Sequence, residues 1–205
     1  MFKFLGQSLL GFIFWLNNFI QDFGLTIIVF TLILKVVILP IEYLVFLEGE
    51  KMKRLRPKIN EVLKKYKNDF QKQAEELTKI YQQENYNPFF TIFIQFLSLP
   101  IFIIIFLALD LLLKTSGLNL SFLGLIDLTQ RNIFLVLAIL VLQALSLFQL
   151  PQEQRKISLF FFGLISLVLF QLPALFSLYW LTNIILAFLE RPLFIKFTRS
   201  SINKT

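Results

Sequence analysis

Residues 25–47 read LTIIVFTLILKVVILPIEYLVFL, and this stretch decides the fold. As a helix rising 1.5 Å per residue it reaches about 34 Å, enough to cross the roughly 30 Å hydrocarbon core of a bilayer. It lacks the period-two alternation of a lipid-facing strand. Its anomaly is Lys35, flanked on each side by about ten mostly apolar residues. An ammonium at mid-membrane costs roughly 2.5–3.5 kcal/mol on insertion scales. The lysine stem reaches about 6 Å, short of the roughly 15 Å to either interface, so snorkelling does not rescue it. No Asp or Glu falls at mid-depth in the other predicted spans, so no buried ion pair is expected. Water inside a helical bundle would keep the cation charged. A neutral lysine in a dry bundle and a local membrane defect are the alternatives.

Composition agrees with a lipid solvent. Hydrophobic residues make up 57% of the 205, including 26 phenylalanines, and charged ones only 16%. That surplus exceeds what one soluble core of this size can hide. Cysteine and histidine are both absent, which excludes disulfides and thiolate chemistry and removes the commonest general base and zinc ligand. No catalytic residue, metal site or cofactor is expected, and the chain does not read as an enzyme.

Four further apolar runs, residues 88–113, 132–150, 157–172 and 174–190, join residues 23–47 as predicted spans. The first two are long enough to cross comfortably. The last two are near the lower limit and meet at Pro173 as a tight hairpin. Residues 1–22 are interrupted by Gln7, Ser8, Asn17 and Asn18 and read as an interfacial helix anchored by Trp15, with a retained signal anchor as the alternative. A cleaved signal lacks a small-x-small site before Gly24. The expected fold is therefore an all-α membrane protein: a five-helix transmembrane bundle, a cytoplasmic helical hairpin and an N-terminal interfacial helix.

Charge sets the orientation. Residues 48–87 hold ten Lys/Arg, Arg155 and Lys156 follow Pro151, and the tail 191–205 is basic, whereas the loop 114–131 and the N-terminus hold only Lys3, Lys114 and Arg131. By the positive-inside rule the first set is cytoplasmic, with the N-terminus outside and the C-terminus inside. The net charge of +7 thus belongs to the membrane surface, and no nucleic-acid binding is expected. Within residues 48–87, Leu55, Ile59, Val62, Leu63 and Tyr66, then Phe70, Ala74, Leu77, Ile80 and Tyr81, form two narrow apolar stripes at helical spacing. They predict an antiparallel hairpin, mobile and resting on itself or the membrane.

Polar residues at helical spacing accompany Lys35. Thr31 lies one turn before it, and Thr91, Gln95 and Ser98 share a face of the second span. Gln143 and Ser146 are three apart in the third, and Tyr179 and Asn183 four apart in the last. Singly, such pairs are interhelical glue. Together with a cation they suggest a hydrophilic chamber, with Pro40, Pro100 and Pro173 bending or ending helices around it. A fixed positive charge in a low-dielectric wall attracts anions. The sequence shows no Gly-rich conduction filter, and neither the inverted repeats nor the intramembrane carboxylates usual in coupled transport. An acidic polypeptide segment is the natural guest.

The chain resembles the YidC/Oxa/Alb membrane-insertase family at several ordered stretches. These are Gly24-Leu25-Thr26-Ile27-Ile28 through Thr31, Lys35 and Pro40; Leu55-Arg56-Pro57-Lys58-Ile59 followed by Lys64-Lys65-Tyr66-Lys67; Asn87-Pro88; Ser98-Leu99-Pro100-Ile101-Phe102; and Leu172-Pro173-Ala174 with Leu178-Tyr179-Trp180-Leu181-Thr182-Asn183. The resemblance implies an insertase and chaperone of the bacterial inner membrane, with a groove open to cytosol and lipid and closed outside. Membrane potential and hydrophobic partitioning drive it, without nucleotide hydrolysis. It implies nascent membrane proteins as partners, with the Sec translocon and the ribosome as further candidates, and assigns Arg56, Pro57 and Lys58 to a functional hairpin. The family usually has arginine where this chain has Lys35, and the short tail after Arg191 argues against strong intrinsic ribosome binding. An anion channel or carrier subunit and a non-catalytic assembly factor are the competing readings.

Overall fold

The computed structural model describes the backbone of residues 2–115, 117–148 and 152–202, and their side chains except at 2, 92, 95–99, 152–154, 156–157 and 199–202. Helices dominate: α1 (Phe2–Ile20), α2 (Phe23–Lys65), α3 (Phe70–Gln83), α4 (Pro88–Lys114), α5 (Ile133–Leu147), α6 (Gln152–Leu169) and α7 (Ala174–Ile202). A ribbon of β1 (Ser121–Phe122) and β2 (Ile126–Asp127) lies between α4 and α5. Sequence reasoning did not anticipate it. Among the described residues, α2 and α7 are long and apolar enough to cross a membrane by length and composition, and α5 and part of α6 are shorter apolar helices. The 15 residues of α5 reach about 22 Å, and residues 149–150 of the expected span 132–150 lie outside the described residues.

The chain forms two compact units, Met1–Val37 with Phe102–Phe197, and Ile38–Ile101 with Thr198–Thr205. In the first, Gln21 takes a left-handed turn (φ 60°) that folds α1 back along α2. Phe14 packs edge-on to Phe23, Phe12 meets Phe30, and the Thr26 hydroxyl donates to Asn17 Oδ1 at 3.0 Å. Ile13, Ile27, Phe30, Leu109, Leu112, Leu128 and Leu175 are fully buried. Large apolar side chains elsewhere in this unit are exposed, including Val36 (71%), Phe134 (78%) and Phe160 (69%). Apolar surface on this scale calls for lipid rather than water around it.

One end of this unit is tied by residues 120–130. Asp22 Oδ1 accepts from Leu25 N (2.8 Å), capping the start of α2, while its Oδ2 accepts from Leu123 N (2.7 Å). That second bond holds Leu123 at φ 53°, a costly conformation for a branched residue. The Phe122 ring sits directly over Gly24: a Cβ there would lie 2.4 Å from Phe122 Cβ. The first amides of α7 donate to the same segment, Ala174 N to the Gln130 carbonyl (2.7 Å) and Leu175 N to that of Leu128 (3.0 Å). The segment thereby satisfies helix-end donors of α7, while its Leu123 amide donates to the carboxylate that caps α2. Asp127 accepts from the hydroxyl and amide of Thr129, which holds its carboxyl below the ordinary range.

The second unit contains a helical hairpin. Leu55 and Ile59 of α2 bury with Tyr86, and Met52, Leu77, Ile80 and Tyr81 pack against them. Burial pushes the Tyr81 phenol up. The α3 C-terminus is a Schellman motif: Asn85 takes φ 47°, and Tyr86 N donates to the Tyr81 carbonyl and Asn85 N to that of Gln82. Asn87 Oδ1 then caps α4 through Phe89 N and Phe90 N, with Pro88 at the first helical position.

The first hairpin helix does not begin afresh after residue 47, because α2 is continuous for 43 residues with Pro40 and Pro57 inside it. The i,i+3 pairs Glu48–Lys51 and Glu50–Lys53 support it where Gly49 would weaken it. Pro100 likewise lies inside α4, whereas Pro173 directly precedes α7.

At the start of α3, Asp69 Oδ1 accepts from Lys72 N at 3.0 Å, a bond that lowers the Asp69 pKa below its usual 3.8. A carboxylate with a depressed folded-state pKa contributes stability above the unfolded value and loses it as pH falls through the folded value. The Lys72 amide should therefore keep its hydrogen-exchange protection above pH 3.8 and lose it progressively below. Protection unchanged in an Asp69→Ala variant would refute the cap.

Candidate functional site

Ile27, Thr31 and Lys35 follow one another at i, i+4, i+8 on α2, and all three are buried; Lys35 is only 7% exposed. Val36 and Val37, around the helix, are exposed. A helix with one apolar face outward and a polar stripe inward positions Lys35 toward its neighbours in the unit. Tyr179, Asn183 and Glu190 fall at i, i+4, i+11 on α7, one face of that helix.

The two stripes meet at their far ends. Lys35 Nζ donates to Glu190 Oε2 at 3.1 Å, and both side chains are largely buried. The expectation that no carboxylate would reach Lys35 is therefore wrong. Glu190 stands beside Arg191 and reads as the end of a span, but α7 runs past both, through Pro192, to Ile202. Helix geometry accounts for the meeting. Both helices leave the segment 120–130; Lys35 lies about 18 Å along α2 and Glu190 about 24 Å along α7. The offset of about 6 Å is within the reach of the two side chains.

The ion pair also changes the energetics. Opposite unit charges about 4 Å apart attract by about 4 kcal/mol at an effective dielectric near 20. That is enough to offset the insertion cost of the lysine but not the desolvation of both groups, so removing either partner costs more than the pair contributes.

The other predicted residues divide. The Thr31 hydroxyl donates to the Ile27 carbonyl of its own helix (2.6 Å). Asn183 Nδ2 donates to Tyr179 Oη at 3.4 Å, which keeps these two together on α7. Gln143 is buried and bonded elsewhere: its Oε1 accepts from the Ser166 hydroxyl of α6 (3.0 Å), and the Ser146 hydroxyl donates to its carbonyl (2.7 Å). Gln143 thus serves the α5–α6 contact, while the Ser146 hydroxyl bonds within α5. The side chains of Gln95 and Ser98 lie outside the described residues.

In the second unit, Thr91 donates to Glu48 Oε2 (3.2 Å), joining α4 to α2, and Lys51 supplies the charge partner of Glu48. Of the hairpin residues, Pro57 is inside α2 and Lys58 pairs with Glu84 across to the end of α3. Arg56, beside them, is half-buried.

Sequence reasoning missed Glu190, Ser166, Glu48 and Asp22. The i, i+11 spacing from Tyr179 was a usable signal for Glu190, and a serine in the apolar run of α6 for Ser166. It also missed the Ser177 hydroxyl and the Trp180 indole N–H, buried without a hydrogen-bond partner among the described residues.

Residues 15–201 match the family described as 60Kd inner membrane protein. The chain is similar to the membrane protein insertase YidC of Buchnera aphidicola subsp. Baizongia pistaciae, with 30% identity over 98% of this chain and 38% of the relative. Its counterpart in Campylobacter jejuni is 27% identical over 89% of the chain and 36% of the relative. That in Anaeromyxobacter dehalogenans strain 2CP-C is 25% identical over 98% and 38%. The chain thus spans less than two fifths of the length of these relatives. With its apolar helices and the match across residues 15–201, the chain belongs to the 60Kd inner membrane protein family, the YidC/Oxa family.

Proposed function

We propose that this chain inserts and helps fold nascent membrane proteins in the bacterial inner membrane. The observation that carries the reading is Lys35, buried deep along α2 on a polar stripe while Val36 and Val37 face outward. The names of the relatives, membrane protein insertases, support the same activity.

In this reading five spans cross the bilayer, formed by the apolar parts of α2, α4, α5, α6 and α7, with the N-terminus outside and the C-terminus inside. The segment 120–130 closes the outer end through its bonds to the starts of α2 and α7. The groove lies along Thr31 and Lys35 of α2 and Tyr179 and Asn183 of α7. An acidic substrate segment is drawn to Lys35 while its apolar segment partitions into lipid, so positioning and electrostatics replace bond-making chemistry. The basic hairpin with Arg56, Pro57 and Lys58 faces the cytosol, where a nascent chain, a ribosome or the Sec translocon can meet it.

Reconstitution tests this reading. Purified protein in vesicles should protect a newly made, acidic-tailed single-span protein from added protease, and empty vesicles should not. Anion flux without a peptide substrate, combined with no insertion, would support a channel subunit instead.

A further inference from the structure

Glu190 gives the site a second property. Its carboxylate is the same chemical group that an acidic substrate segment would present to Lys35, and it already holds the ammonium at 3.1 Å. The contact is no surface accident: the Lys35 and Glu190 side chains are 8% and 13% exposed. It joins two helices whose starts are fixed to a common segment. A carboxylate tethered this way competes at the millimolar or higher effective concentration typical of short tethers.

We propose that Glu190 is a resident competitor for Lys35, so that a substrate carboxylate must displace it and the pair sets how acidic a segment has to be to engage the groove. This rests on the reading that Lys35 meets acidic substrate segments. A neutral tail gains nothing by displacing Glu190. A tail with one Asp exchanges one ion pair for another with little net gain, and a tail with several Asp residues exchanges with profit. Glu190 is thus a specificity-determining residue, acting through the availability of the Lys35 ammonium.

The test uses the full chain in vesicles and a single-span client whose tail carries no, one or several Asp residues. Wild type, Glu190→Gln and Lys35→Gln are compared by initial insertion rate. Glu190→Gln should raise the ratio of the one-Asp rate to the neutral-tail rate about threefold to tenfold, as expected when a tethered competitor is removed. An unchanged ratio of acidic to neutral rates in Glu190→Gln, or an equal fall in both, would overturn the proposal and make the pair a structural clamp. Lys35→Gln separates the layers. If it abolishes the acidic preference while Glu190→Gln fails to raise it, only the competitor idea is lost. If Lys35→Gln leaves the preference intact, the underlying reading falls as well. Should Glu190→Gln not fold, Glu190→Asp keeps the charge one methylene shorter and should shift the ratio in the same direction, and no shift there would equally refute the proposal.

Discussion

Lys35→Ala should lower insertion of an acidic-tailed client by at least about tenfold, equivalent to about 1.4 kcal/mol. Two losses combine in this variant. The attraction for the substrate carboxylate disappears, and Glu190 is left buried without the ammonium it now holds at 3.1 Å. Removing one member of a buried pair costs roughly 3–5 kcal/mol of stability, so thermal unfolding in detergent should also shift downward. Lys35→Glu should be worse, because two carboxylates would then face each other across α2 and α7. Lys35→Arg should retain most activity, since a guanidinium keeps the charge and can pair with a carboxylate through two bonds. Insertion by Lys35→Ala at the wild-type rate for acidic and neutral clients alike would show that the cation has no part in the mechanism.

The second large effect lies at the other end of the same unit. Gly24 is in the first turn of α2, where Gly→Ala ordinarily stabilises a helix, by up to about 1 kcal/mol. Here the sign should reverse. An added Cβ would lie 2.3–2.5 Å from Phe122 atoms, including its Cβ, so the ribbon backbone must move rather than a ring simply turning aside. Overpacking of this kind costs roughly 1–3 kcal/mol, and Gly24→Leu should exceed Gly24→Ala. Movement of the ribbon would also strain the bond from Leu123 N to Asp22, which helps close that end. Phe122→Gly, which removes the Cβ as well as the ring, should rescue Gly24→Ala, giving a coupling of about 1 kcal/mol in a double-mutant cycle. A Gly24→Ala variant as stable as wild type would contradict the close packing.

These sites differ in how visible they are in the sequence. The inward placement of Lys35 is legible because helical periodicity is local: Ile27, Thr31 and Lys35 repeat at i, i+4, i+8. The same holds for Leu55 and Ile59, which bury where their stripe predicts. The face of Glu190 could be read from its i, i+11 spacing to Tyr179, but its pairing with Lys35 could not, because 155 residues separate them and Glu190 beside Arg191 looks like the charged edge of a span. The clasp of Asp22 on Leu123, across 101 residues, is hidden for the same reason. That α2 runs on unbroken past residue 47 was not legible, because Pro40 reads as a bend or end and the helical ion pairs beyond it are individually weak signals. Gln143 has the composition of a groove residue, yet tertiary packing gives it to Ser166. Periodicity therefore reveals which face is polar, and long-range packing decides which polar groups meet.

The central claim is that a translocating substrate passes along the polar stripes of α2 and α7 at Lys35. Site-specific photocrosslinking to a stalled, acidic-tailed nascent membrane protein tests it most directly, with probes at Thr31 and Tyr179 and at the outward-facing Leu32 on the same helix. Strong crosslinks are expected from Thr31 and Tyr179, weakening when Lys35 becomes Ala, with little from Leu32. Crosslinks of equal strength from all three positions, or from Leu32 alone, would contradict it.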